Sequence, residues 1–147
     1  MAKILIADDS TVCLHVSAQM VRRLGHQALL TNNGHDALRL LIENEAGIQL
    51  ALMDWRMAGM DGLEATQRFR RFESQRQDLA RVPVLAMTAS VMVRDRQRLL
   101  EGGMDDVLGK PITLQALKQA LDAWLLPGSV GSRSREQFHD FGSESPT

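Results

Sequence analysis

Apolar residues recur along this chain in two alternating rhythms. Short uninterrupted apolar runs stand between stretches where apolar positions return every three or four residues, the pattern of buried strands alternating with amphipathic helices. Ile4 to Ala7 is the first run, and it ends on Asp8-Asp9. Ser10 or Thr11 can cap the helix that follows, over which Val12, Val16 and Met20, with Cys13 and Leu24, fall at helical spacing. Gly25 closes it as a C′ residue. Residues 27 to 31 give a weaker second strand, and Asn32-Asn33-Gly34 turns into a helix near residues 35 to 45, with Ala37, Leu38, Leu41 and Ile42 on one face. Residues 47 to 54, from Gly47 through Leu50, Leu52 and Met53, form a third strand that stops abruptly on Asp54. A helix over 62 to 75 turns Leu63, Phe69 and Phe72 inward and leaves its arginines outside. The fourth strand runs from Arg81 to Thr88, with Pro83 early enough to spare its missing N–H. Residues 91 to 101 give a polar fourth helix, broken by Gly102-Gly103, and Asp105 to Lys110 a short fifth strand stopped by Pro111. Leu114, Leu117, Leu121 and Trp124 or Leu125 mark an amphipathic last helix.

Five strands alternating with five helices predict an α/β fold with a doubly wound parallel sheet, because right-handed crossovers place a helix between parallel strands. The packed domain spans residues 1 to 126. Beyond Leu126 the composition shifts to Pro, Gly, Ser and mixed charge, so residues 127 to 147 read as a disordered tail or linker. Net charge changes the picture only by exclusion. With 17 Lys and Arg against 18 Asp and Glu, a net of -1, the chain offers no electrostatic case for nucleic acid or an anionic membrane surface. No apolar run approaches the roughly 20 residues of a membrane span, the start lacks a signal-peptide pattern, and the single Cys13 has no internal disulfide partner. These features predict a soluble cytoplasmic protein.

Sites in open α/β sheets lie beyond the carboxyl ends of the strands. Here those ends carry Asp8 and Asp9 after strand one, Asp54 after strand three, Thr88 at the end of strand four and Lys110 at the end of strand five. The phosphate cradles G-x-G-x-x-G and G-x-x-x-x-G-K-[ST] are absent from the sequence. Converging carboxylates repel, and one takes up a proton unless a cation joins them. An all-oxygen cluster favours Mg²⁺. A carboxylate beside such an ion can attack phosphorus, with the lysine and the hydroxyl stabilising charge on the transferring phosphoryl oxygens. The set predicts a phosphoryl acceptor site.

In order and spacing these residues resemble the response-regulator receiver domain of two-component signalling, from Lys3 to about Leu126. The motifs are Asp8-Asp9, Leu52-Met53-Asp54-Trp55-Arg56-Met57 followed by Met60-Asp61-Gly62, Ala86-Met87-Thr88-Ala89, and Gly109-Lys110-Pro111. The resemblance implies a flavodoxin-like sheet of order 2-1-3-4-5. It implies that Asp54 accepts phosphate from a phosphohistidine of a histidine kinase or histidine phosphotransfer protein. It further implies that Mg²⁺ is held by Asp9 directly, by Asp8 through water, by Asp54 and by the Arg56 backbone carbonyl. Lys110 would pair with the phosphoryl group and Thr88 would swing toward it, switching partner binding through the fourth-helix and fifth-helix face. The module would act only on its own phosphorylation and dephosphorylation, and would not be an enzyme for other substrates. Two departures stand out. Val107 occupies the position usually held by Tyr or Phe, and Ala58 the position usually held by Pro.

Other polar residues carry no such pattern. Asp105 and Asp106 read as turn residues, His15, His26, His35 and His139 as solvated, Cys13 as a small core residue, and the arginines of the third and fourth helices as wet faces. Two alternatives remain beside the favoured function: a stand-alone chemotaxis-type regulator, since no output domain is recognisable after Leu126, and a Mg²⁺-dependent phosphatase with an aspartyl intermediate. The latter would want an acid two residues after Asp54, where Arg56 stands. The tail reading has a direct check. Truncation after Leu126 should change unfolding free energy by less than about 1 kcal/mol in urea titrations; a loss of several kcal/mol would be a large share of a domain's stability and would mean that the tail packs.

Overall fold

The computed structural model describes residues 1–76 and 80–125. The expected tail at 127–147, and the domain boundary at Leu126, lie outside the described residues. Ten elements follow in strict alternation: β1 (Lys3–Ala7), α1 (Thr11–Arg23), β2 (Gln27–Thr31), α2 (Gly34–Glu43), β3 (Leu50–Asp54), α3 (Gly62–Ser74), β4 (Val84–Thr88), α4 (Val93–Glu101), β5 (Asp106–Gly109) and α5 (Leu114–Trp124). All strand pairs are parallel and the order is β2-β1-β3-β4-β5.

The strand side chains alternate between two cores. Ile4, Ile6, Leu50, Leu52, Leu85 and Met87 face α1 and α5, packing on Leu14, Ala18, Val21, Leu117 and Leu121. Their neighbours Leu5, Ala7, Ala51, Met53, Val84 and Ala86 face the other way, onto Ala37 and Leu41 of α2, Phe69 of α3 and Leu99 of α4. Both faces are covered, so the strands read as continuous apolar runs and not as alternating ones. Each fully buried Leu or Ile contributes about 1.5–3 kcal/mol by leaving water.

Several sequence expectations are corrected. The buried face of α1 is Leu14, Ser17, Ala18 and Val21, while Val12 is 73% and Val16 44% exposed. The helix is rotated about its axis from the stripe that its first two valines suggest, so that Leu14, Ala18 and Val21 pack on the sheet. Cys13 is only half-buried. Ser10, not Thr11, caps α1, accepting from the Cys13 N–H. β3 begins at Leu50 and β4 at Val84, each later than the apolar run predicts. His26 is not simply solvated: its Nδ1 accepts from the Ala2 N–H at 3.0 Å, and burial with the nearby N-terminal ammonium lowers its pKa.

The largest correction concerns Asp105 and Arg70. Asp105 is no turn ornament, and Arg70 is not on a wet face. Asp105 accepts from the Arg70 guanidinium and from the Val84 N–H, each at 2.8 Å, and from Arg81. Arg70 also donates to Glu73 at 2.6 Å and to the carbonyls of Val82 and Gly103 at 2.8 Å. Its side chain is 15% exposed and that of Asp105 only 7%. This network fastens α3 to the entry of β4 and β5. Losing one partner of a buried pair strands the other charge, whereas exposed pairs contribute little. Arg70→Met should therefore cost about 3 kcal/mol in urea unfolding, and Arg68→Met, which removes only the exposed pair with Glu64, less than about 1 kcal/mol. Equal losses in the two variants would contradict this assignment.

Candidate functional site

Parallel register delivers the candidate residues to one edge. Ala7 pairs with Met53, so Asp8 stands level with Asp54; Thr88 pairs with Gly109, so Lys110 follows beside it. The Lys110 N–H donates to the Thr88 carbonyl at 2.8 Å, and the Trp55 N–H to the Met87 carbonyl at 3.1 Å, continuing the ladder just past the acceptor position. The chain then turns into α3, where Gly62 donates to the Trp55 carbonyl at 2.8 Å. A Cβ at Gly62 would collide with the Asp54 carbonyl oxygen, so only glycine lets α3 start this close to the acceptor strand.

Asp8, Asp9 and Asp54 each present a carboxylate oxygen, all within 4.8 Å of one another. Asp8 is wholly buried and Asp54 nearly so, while Asp9 is exposed at the mouth. Lys110 Nζ lies 3.1 Å from Asp8 Oδ2 and 3.1 Å from Asp54 Oδ1. One ammonium thus serves two carboxylates, leaving an excess of negative charge. The consequence appears in the proton affinities. Burial, then the charge of Asp8, pushes the Asp54 carboxyl up to about 6, against the opposing pull of Lys110. For Lys110, burial disfavours the charge, but hydrogen bonds and charges from Asp8 and Asp54 outweigh it and raise its pKa.

Backbone amides fix two further oxygens. The Ser10 N–H donates to Asp8 Oδ1 at 2.9 Å and the Ala58 N–H to Asp9 Oδ2 at 3.3 Å. A proline at position 58 has no N–H and could not make the second bond. Thr88 ends β4 in a buried position, and its hydroxyl oxygen accepts from the Ser90 N–H at 3.0 Å. Arg56 lays its guanidinium 3.8 Å from the centre of the Trp55 ring, which is itself buried. Asp8, Asp9, Asp54 and Lys110 therefore meet at one edge, with Thr88 at the end of the neighbouring strand. The sequence assigned no contact at the site to Ser10, Ala58 or Ser90, each of which acts through an amide hydrogen bond. For Ala58 alone a signal existed, the loss of the usual proline.

Three carboxylates with one lysine suit a divalent cation bound through oxygens. A cation there would supply the charge that Lys110 alone does not. The response regulator receiver domain pattern matches residues 4–122. The chain belongs to the response-regulator receiver family. Sensor histidine kinase RcsC of Salmonella typhi is 40% identical over 118 residues, which is 80% of this chain and 12% of the kinase, so this chain spans only a small part of that relative. Among solved structures, the receiver domain of sensor histidine kinase PA1611 from Pseudomonas aeruginosa, with a magnesium ion coordinated in its active-site cleft, is 34% identical with a TM-score of 0.73, covering 84% of this chain and 97% of that one. The receiver of Ssk1 from Saccharomyces cerevisiae, solved with the histidine phosphotransfer protein Ypd1, is 30% identical with a TM-score of 0.75, covering 84% and 88%. No helix among the described residues is long and apolar enough to cross a membrane.

The raised Asp54 pKa makes a signed prediction for the ion-free protein. The folded state binds this proton more tightly than the unfolded chain, so the contribution to stability is full below the ordinary value of 3.8 and is lost as pH rises through about 6. Above that, the ionised carboxylate costs stability that Asp54→Asn should return. We expect the variant to be more stable by about 1–2 kcal/mol near pH 7.5 in chelator, with the difference vanishing near pH 3.5. Equal differences at both pH values in urea titrations would contradict the electrostatic origin.

Proposed function

We propose that this chain is a phosphorelay receiver module in which Asp54 takes a phosphoryl group from a phosphohistidine of a histidine kinase or histidine phosphotransfer protein. The observation that carries the reading is the pairing of Asp8 and Asp54 on the single Lys110 ammonium, with Asp9 adjacent. Asp9, Asp8, Asp54 and the Arg56 backbone carbonyl would hold Mg²⁺, Asp9 directly and Asp8 through water. When bound, the ion supplies charge neutralisation at the acceptor and the phosphoryl oxygens.

The residues then divide the work. At neutral pH the Asp54 carboxylate is mostly ionised, and one of its oxygens attacks the phosphorus as the bond to the donor imidazole nitrogen breaks and its electron pair returns to the ring. Lys110 gives up its contact with Asp54 Oδ1 for a phosphoryl oxygen, keeping Asp8 as its anchor. Thr88 donates its hydroxyl to another. Charge is thereby stabilised where it develops, by groups that the sheet already holds in place. The module works only on its own acceptor, in the cytoplasm, where such donors are charged from ATP.

Relatives in which the matching segment is part of a sensor kinase favour the phosphorelay reading over a stand-alone chemotaxis-type regulator. The phosphatase alternative still lacks its second acid, since position 56 is arginine. The downstream face is assigned to α4 and α5, and on β5 between them Val107 replaces the usual ring. Its short β-branched side chain has few rotamers, so the switch here rests on Thr88 and the loop after it.

Trp55, beside Asp54 and under the Arg56 guanidinium, provides the test. In a Trp124→Phe background, Mg²⁺ and then beryllofluoride should each change Trp55 emission. Asp9→Ala should weaken Mg²⁺ binding by about tenfold or more, the scale of losing one charged ligand. Wild-type Mg²⁺ affinity in Asp9→Ala would remove the metal assignment, and no response to beryllofluoride in the presence of Mg²⁺ would remove the acceptor assignment.

A further inference from the structure

α4 is the most weakly anchored helix in the fold. Leu99 is its one buried residue, whereas α1, α2, α3 and α5 each bury three or more. Its two ends differ. The C-terminal end is pinned, because Gly102 closes against Leu63 and the Met104 N–H donates to the Leu99 carbonyl at 3.2 Å. The N-terminal end lacks the usual fastening. Ser10, Asn33, Asp61 and Thr113 each cap their own helix through a side-chain oxygen, but Met92 at the start of α4 makes no such bond. Val91 and Val93 beside it are 93% and 71% exposed.

What holds this end starts at the site. Thr88 Oγ1 accepts from the Ser90 N–H at 3.0 Å. The Ser90 hydroxyl donates to Asp95 Oδ2 at 2.6 Å and accepts from the Met92 N–H at 3.2 Å. Asp95 lies in the first turn of α4. Ser90 therefore ties down the start of α4 from two residues upstream, and its own amide donates to the threonine that ends β4. Among the described residues this half of the helix is also tied by a half-exposed contact, Arg96 to Asp106 at 3.5 Å, of the kind that contributes little.

We propose that Ser90 and Asp95 form a hydrogen-bond relay that carries the position of the Thr88 hydroxyl to the first turn of α4. Displacing Thr88 toward the acceptor draws on the Ser90 amide, and the hydroxyl of the same residue then changes its hold on Asp95 and Met92. The exposed Val91, Met92 and Val93 move with it while Leu99 keeps the far end in place. The relay needs no aromatic ring at position 107, where Val107 stands. Ser90 and Asp95 are positioning residues that do not touch the phosphoryl group. The trigger rests on the phosphoacceptor reading, but the linkage exists in the ion-free chain and can be tested there.

The test is amide hydrogen exchange on the full chain in chelator, read at Arg96, whose N–H donates to the Met92 carbonyl at 3.1 Å. Ser90→Ala and Asp95→Ala should speed exchange there about three- to tenfold, the ratio for losing one net hydrogen bond. Thr88→Val removes the acceptor of the Ser90 amide and should act in the same direction. The Ser90→Ala/Thr88→Val double variant should be no faster than Ser90→Ala alone, and Ser90→Thr should restore the wild-type rate. Amides of β1 and β3 should be unchanged in all of them. A wild-type rate at Arg96 in Thr88→Val, or additive effects in the double variant, would overturn the relay and leave Ser90 as a local cap. With Mg²⁺ and beryllofluoride, Ser90→Ala should keep the Trp55 response and lose more than half of the α4 chemical-shift response. A full α4 response in that variant would also overturn it. Failure of the wild type to bind the analogue would instead overturn the phosphoacceptor reading, and leaves the exchange result to stand by itself.

Discussion

Two carboxylates buried side by side on one lysine set the terms for this molecule. Asp8 and Asp54 share Lys110, each at 3.1 Å, at an edge where Asp8 has no exposure at all. Ionised groups leave water at a cost of several kcal/mol each, returned only where partners are well placed. Here one ammonium cannot return it in full, and the proton affinity of Asp54 rises as a result. The site is thus held short of neutrality, in a condition that a divalent cation or a proton relieves. A folded domain tolerates such a deficit because the sheet beneath is apolar on both faces and closely packed.

The sheet does more than carry the cost. Parallel pairing fixes which residues meet at its edge, and a slip of one residue would turn every strand side chain to the wrong core. Ala7 opposite Met53 and Thr88 opposite Gly109 are the pairs that place Asp8, Asp54 and Lys110 together. Gly62 lets α3 begin directly behind the acceptor, and the Arg70–Asp105 network locks α3 to the strands on the opposite rim. The anchored helices on three sides contrast with α4, whose first turn hangs from Ser90. Rigidity at the site and looseness beside it are complementary features of a switch.

Much of this was legible in the sequence, for a physical reason. Strand runs such as Leu50 to Met53 declare themselves because both faces are buried, and carboxylates at their ends fall together once the sheet is parallel. The motif spacing around Asp54, Thr88 and Lys110 then identifies the family. What escaped depends on contacts between residues distant in sequence. The Arg70–Asp105 pair spans 35 positions and no local pattern announces it. Val12 and Val16 mark a helical stripe, yet Leu14, Ala18 and Val21 form the side of α1 that faces the sheet. Ser90 looks like an ordinary loop serine until its hydroxyl is seen on Asp95. Side-chain hydrogen bonds of this kind compete locally with many alternatives, and only the fold selects among them.

The central claim is that Asp54 accepts a phosphoryl group within a cation-requiring carboxylate cluster. Intact-mass measurement after incubation with a phosphorylated histidine phosphotransfer protein tests it most directly. The account predicts one phosphoryl group per chain, located at Asp54, absent in Asp54→Asn and absent when Mg²⁺ is chelated. Phosphorylation that persists in Asp54→Asn, or proceeds undiminished in chelator, would contradict it.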